Sequence, residues 1–141
     1  MKKTKALYWI FTLLFSIPML ASGIAYLAAV DPVVQGMAHL GYPPYLVRFL
    51  GVAKLLGALT VLFGTFPRIK EWAYAGFVFN LAGAFYSHIS SGDGPKAFLP
   101  VIILVFELLS YFHWKKLATS PPKPPAESRL RQQGRPTLLP L

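Results

Sequence analysis

The sequence predicts an all-α polytopic membrane protein: a bundle of four transmembrane helices with both termini in the cytoplasm. Three observations predict it. Hydrophobic residues make up 55% of the 141 residues and charged residues only 13%, where a soluble domain carries about 25% charged residues. The apolar residues gather into four runs, each close to the roughly 20 residues that cross a bilayer as a helix. The Lys and Arg side chains behind the net charge of +9 stand at the ends of those runs and in the C-terminal tail. They form no groove-lining surface, so the expected partner is the lipid bilayer and not nucleic acid.

The first span is read over residues 6–29, ALYWIFTLLFSIPMLASGIAYLAA. Its basic start and the small residues Ala21, Ser22 and Gly23 also resemble a secretory signal peptide. The apolar run continues past those residues, and cleavage would leave three spans, so the segment is read as retained. Pro18 is read as a kink that a bundle tolerates. The connection DPVVQGMAHLGYPPY leads to span two, residues 46–64, LVRFLGVAKLLGALTVLFG. Pro43 and Pro44 stop any helix before that span begins. FPRIKE joins it to span three, residues 72–90, and SGDGPK joins that to span four, residues 97–114. Strand alternation is absent, which speaks against a β-barrel. The four spans form one domain over residues 1–117. Residues 118–141, rich in Pro and Arg, lack the apolar surface to fold alone and are expected to be disordered.

Orientation follows the placement of bases. Lys2, Lys3 and Lys5 precede span one, Arg68 and Lys70 lie between spans two and three, and Lys115 and Lys116 open a basic tail. The opposite side holds only Lys96, with Arg48 just inside span two. Trp9, Trp72 and Trp114 all fall at the cytoplasmic ends of their spans, as an interfacial aromatic belt requires. The expected location is the plasma membrane.

Lys54 stands in the middle of an apolar run, where a charge is costly unless partnered. It lies about eight residues, roughly 12 Å, from the outer end of span two, and Glu107 about ten residues, roughly 15 Å, from the outer end of span four. Asn80 reaches a similar depth in span three. A Lys54–Glu107 ion pair with Asn80 beside it is therefore expected, either fixing helix register or binding a ligand. Ala73, Gly76, Asn80, Gly83 and Ser87 recur at helical spacing on span three. Gly51, Lys54 and Ala58 share a face of span two, and Pro100, Glu107, Tyr111 and Trp114 fall on or near one face of span four. These small or polar stripes are expected to point into the bundle, because small residues let helices approach closely. The polar cluster so defined is Lys54, Asn80, Glu107 and Tyr111.

Outer-side polar candidates are Arg48, His39 and His88, the last two close enough in the predicted topology to meet. No HxxxH or HExxH spacing accompanies them, so no metal site is assigned. The SGDG turn lacks the Lys-Ser or Lys-Thr of a phosphate loop, and no Ser–His–Asp arrangement is readable. The chain has no cysteine, which removes disulfides, CxxC chemistry and cysteine-held clusters. Electron handling would need a borrowed carrier.

The stretch HLGYPPYLVRFLGVAKLLGALTVLFGTFPRIKEWAYAGFVFNLAGAFYSH, residues 39–88, resembles the DoxX-like family of small four-helix membrane proteins. The LGYPPY lead-in to span two, the glycine helix around Lys54, the FPRIKEWAYAGF turn and the stripe from Asn80 to His88 carry the resemblance, which covers about residues 5–117. The family takes its name from a subunit of a quinone-linked sulfur-oxidising enzyme. The resemblance thus implies association with a quinone or a membrane redox complex. Two readings follow: an accessory or structural subunit with no chemistry of its own, or a component that binds a quinone or another small lipophilic ligand. A solute transporter is a weaker third, since four helices would need a homo-oligomer to offer a pathway.

Overall fold

A computed structural model of the chain describes residues 1–120. The tail expected to be disordered lies, from residue 121 on, outside the described residues. The elements are α1 (Lys2–Leu27), α2 (Asp31–His39), α3 (Pro44–Phe63), α4 (Pro67–Ser90), a short 3₁₀ turn (Gly94–Ala97) and α5 (Phe98–Ala118). Proline stands in the first turn of α2, α3 and α4, where its missing N–H would have had no helical partner anyway.

α1, α3 and the segment Gly94–Ala118 are long and apolar enough to cross a membrane. α4 is long enough but less apolar, because Asn80, Ser87, His88 and its glycines dilute it. α2 is a departure from expectation. The residues read as a plain connection fold into nine residues of helix, with Asp31 and Pro32 supplying the start signal. Met37 is its buried residue.

The long helices pack in a ring. α1 contacts α3 and α5, and α4 contacts α3 and α5, while α2 rests on α3 and α1. α3 and α5 thus occupy opposite corners. With neighbouring axes 8–10 Å apart, opposite axes lie roughly 12–14 Å apart. Phe15 and Met19 of α1, Ala58 and Val61 of α3, and Tyr74, Phe77 and Leu81 of α4 fill the centre. Phe15 meets Phe77 edge-on at 4.9 Å between centroids, the arrangement that ring quadrupoles favour.

The α1–α3 seam is the closest. A Cβ on Gly51 would sit 2.5 Å from the Leu27 backbone nitrogen, so only glycine allows the two backbones to touch there. The face of α3 expected to point inward does so, with Gly51, Lys54 and Ala58 all buried. On α4 the expectation is corrected. Its buried residues are Lys70, Tyr74, Phe77, Leu81 and, of the expected stripe, Ser87 alone, because bulky side chains fill the bundle centre. Gly76 and Gly83 are exposed, and a Cβ on either would meet nothing within 4 Å.

Candidate functional site

The open stripe of α4 faces a groove along its seam with α3. One part, of about 240 Å³, is lined by Ala53, Lys54 and Gly57 of α3 and by Trp72, Ala73, Gly76, Phe77 and Asn80 of α4. An adjoining part, of about 250 Å³, continues past Lys54 and Asn80 to Gly83, Ala84 and His88, with Tyr26, Met37 and Tyr42 on its other side. Leu50, Lys54 and Asn80 line both parts and mark the middle of the groove. Glycine and alanine form one wall, so a flat molecule could lie against the backbone.

The Lys54 ammonium donates to Ser22 Oγ at 2.9 Å and stands 3.7 Å from the centre of the Tyr26 ring. Both partners belong to α1. The ring face supplies the attraction that a carboxylate would otherwise give, and one of the three ammonium donors is committed to Ser22. The Asn80 side chain makes no hydrogen bond among the described residues.

The expected Lys54–Glu107 ion pair is absent among the described residues. Equal depth was the argument for it, but α3 and α5 are at opposite corners of the ring, with the packed core between them. Asn80 shares a groove with Lys54 and not with Glu107. Glu107 lies instead among residues of α1, α4 and α5. It is 0% exposed, and among the described residues neither carboxyl oxygen has a hydrogen-bond partner. A pocket of about 170 Å³ between α4 and α5 includes Glu107, Tyr74 and Tyr111 in its lining, so Tyr111 belongs with Glu107.

Beside this layer is a hydroxyl cluster that sequence reasoning missed. Thr12 Oγ1 and Ser110 Oγ lie 2.6 Å apart, and Tyr74 Oη lies 2.8 Å from Ser110 Oγ. Ser16 Oγ is buried without a partner. Lys70 donates to Tyr8 Oη at 2.9 Å. The signal was present in span one, where Tyr8, Thr12, Phe15, Ser16, Met19 and Gly23 share one buried helical face.

At the end of the bundle away from the termini, His39 Nε2 and His88 Nδ1 both contact Asp93 Oδ2, at 2.9 and 3.2 Å. The two histidines do meet, through a carboxylate. The hydrogen bond from His88, and after it that from His39, holds Asp93 below the usual carboxylate range. Tyr42 Oη pairs with Ser87 Oγ at 2.6 Å. Gly92, with φ of +76°, turns the chain towards Asp93. Among the described residues no group of three His, Asp or Glu side chains is placed to hold a metal ion. Arg48 is exposed on α3 and stands outside the groove.

A ring of long apolar helices with a glycine-walled lateral groove and ionisable side chains at its core defines a helical membrane protein, embedded in a lipid bilayer through several passes. The DoxX-like family pattern matches residues 10–110, and the chain belongs to that family. No curated protein and no solved structure matches it.

Proposed function

We propose that this chain is a four-span plasma-membrane protein with cytoplasmic termini. It holds a small lipophilic molecule of the quinone class in the α3–α4 groove and serves a membrane redox complex as a non-catalytic subunit. The observation that carries the ligand reading is the groove itself, with Lys54 and Asn80 at the middle of a glycine wall. Quinone carbonyls are hydrogen-bond acceptors. The Lys54 ammonium keeps donors beyond the one given to Ser22, and the Asn80 amide has its own uncommitted. Phe77 and Trp72 offer ring surfaces on the same groove. The residues present therefore fit the group. A bound quinone would supply the electron-carrying capacity that a cysteine-free chain lacks. The chain's own residues orient it: Lys54 and Asn80 fix the polar head, and Gly76 and Gly83 keep the wall flat.

The bases at the end carrying both termini support the orientation. α4 closes the ring between α3 and α5, which supports a fourth span despite its polar stripe.

Native mass spectrometry of the purified protein with its lipids retained tests the reading, together with quenching of Trp72 fluorescence by a short-chain quinone. A co-purified quinone, and quenching that disappears in Trp72→Phe, are the expected results. A folded protein that carries no quinone and shows no saturable quenching would be an accessory subunit without a ligand.

A further inference from the structure

Glu107 is unlike every other charge in the bundle. It is fully buried, and among the described residues both its carboxyl oxygens are without a partner. An ionised carboxylate with no donor and no counter-charge is among the costliest things a membrane-embedded core can hold. Among the described residues, the lysines of the surrounding helices are committed elsewhere. On α4, Lys70 donates to Tyr8 of α1. On α5, Lys115 pairs with Glu71 of α4. On α3, Lys54 is turned to Ser22 and Tyr26 of α1. The remaining ionisable groups on the same pocket are the phenols of Tyr74 and Tyr111 and the Glu71 carboxylate; Tyr74 is held on Ser110 and Glu71 on Lys115.

The hydroxyl cluster has a direction. Thr12 of α1 and Ser110 of α5 face each other. These helices are antiparallel, so one turn further from the termini brings Ser16 on α1 and Glu107 on α5 to the same layer. Both are buried and unpartnered. One turn nearer the termini, Thr12 donates to the Tyr8 carbonyl oxygen at 2.6 Å, and Lys70 binds the Tyr8 hydroxyl. Polar groups thus follow one another in helical register from the Lys70 end of the bundle to a carboxyl at its middle, with direct hydrogen bonds joining Tyr74, Ser110 and Thr12, and Ser16 and Glu107 one turn beyond them without a direct bond.

We propose that Glu107 is a proton-binding site, loaded from the Lys70 end of the bundle over the hydroxyls of Tyr74, Ser110, Thr12 and Ser16. The proton bonds to a carboxyl oxygen of Glu107. Each hydroxyl that gives one up accepts one from behind, water bridges the steps from Thr12 to Ser16 and from Ser16 to Glu107, and water at the Lys70 end makes good the difference, so the ladder is left unchanged. This inference is independent of the groove, which lies on the other side of the bundle core.

The test is infrared spectroscopy of the full chain in liposomes at neutral pH. The expected result is a protonated-carboxyl C=O band that is lost in Glu107→Gln and kept in Glu107→Asp. On transfer to heavy water the band should shift, at least tenfold more slowly in Ser110→Ala than in the parent. No such band means an ionised carboxylate and overturns the proposal. A band that added sodium abolishes marks a metal-cation site and also overturns it. Exchange as fast in Ser110→Ala as in the parent overturns the delivery route. Should the Glu107 variants fail to fold, a lipid-soluble carbodiimide, which adds to protonated carboxyls, is applied to the parent protein. Labelling mapped to Glu107 and suppressed at alkaline pH is expected, and an unlabelled Glu107 overturns the proposal.

Discussion

α3 meets its two neighbours in opposite ways. Towards α1 its Gly51 lies against the Leu27 backbone, and Lys54 is satisfied by Ser22 and Tyr26. Towards α4 it packs Gly57 on the Phe77 ring and leaves a groove beside that contact, where a Cβ on Gly76 or Gly83 would meet nothing within 4 Å. The same residue type thus closes one seam and keeps the other open. What decides is the partner face. α1 presents its own Gly23 and a bare stretch of backbone, whereas α4 turns its bulky Tyr74, Phe77 and Leu81 into the core and its small residues aside.

The largest effect that would break this comparison is at the closed seam. Gly51→Val forces a side chain into backbone and should destabilise by about 3 kcal/mol, read as unfolding in a denaturing detergent titration. An unchanged midpoint would mean that the seam is looser than described. At the open seam, Lys54→Met should weaken quinone quenching of Trp72 at least tenfold, which is about 1.4 kcal/mol. Equal affinity in the variant would remove Lys54 from the site.

Gly76→Leu sharpens the contrast, because its side chain extends into the groove from a Cβ position with no neighbour within 4 Å. Unfolding should change by about 0.5 kcal/mol or less, while saturable quenching disappears. Loss of stability there would show that the groove is narrower than described. Lys54→Met and Glu107→Gln should have additive effects on unfolding, within about 0.5 kcal/mol, as expected of sites without shared partners. A double variant that recovers most of the loss would restore the ion pair the structure lacks.

The smallest effect concerns Asp93. Its folded form holds the proton more weakly than an unfolded aspartate. Its contribution is therefore present above the ordinary aspartate value and lost as pH falls through the lowered folded one. The parent protein should melt earlier across that acid range, and Asp93→Asn should lack this part of the pH dependence.

The helices were legible because apolar runs and proline starts are local signals. The inward face of α3 was legible for the same reason: Gly51, Lys54 and Ala58 repeat at helical spacing. Which helix each face meets was not. Lys54 and Glu107 sit at matching depth, yet depth says nothing of order around the ring. With short connections, consecutive helices become neighbours, and the second and fourth long helices are then left at opposite corners. Lys54 found its partners on α1, in Ser22 and Tyr26, which the apolar surroundings of span one had masked. The polar stripe of α4 was visible as a stripe, but nothing local distinguishes a face that packs from one that lines a groove. α2 was overlooked because its nine residues fall far short of the roughly 20 of a span, although Val33, Val34, Met37 and Ala38 stand at helical spacing.

In the four-span reading proposed above, the α3–α4 groove opens sideways, into the hydrocarbon, and not towards water. Whatever it holds arrives by diffusing in the plane of the bilayer, having first partitioned there. Occupancy is then set by the mole ratio of ligand to lipid. Diluting the vesicles in buffer should leave the groove filled, while adding empty lipid should drain it.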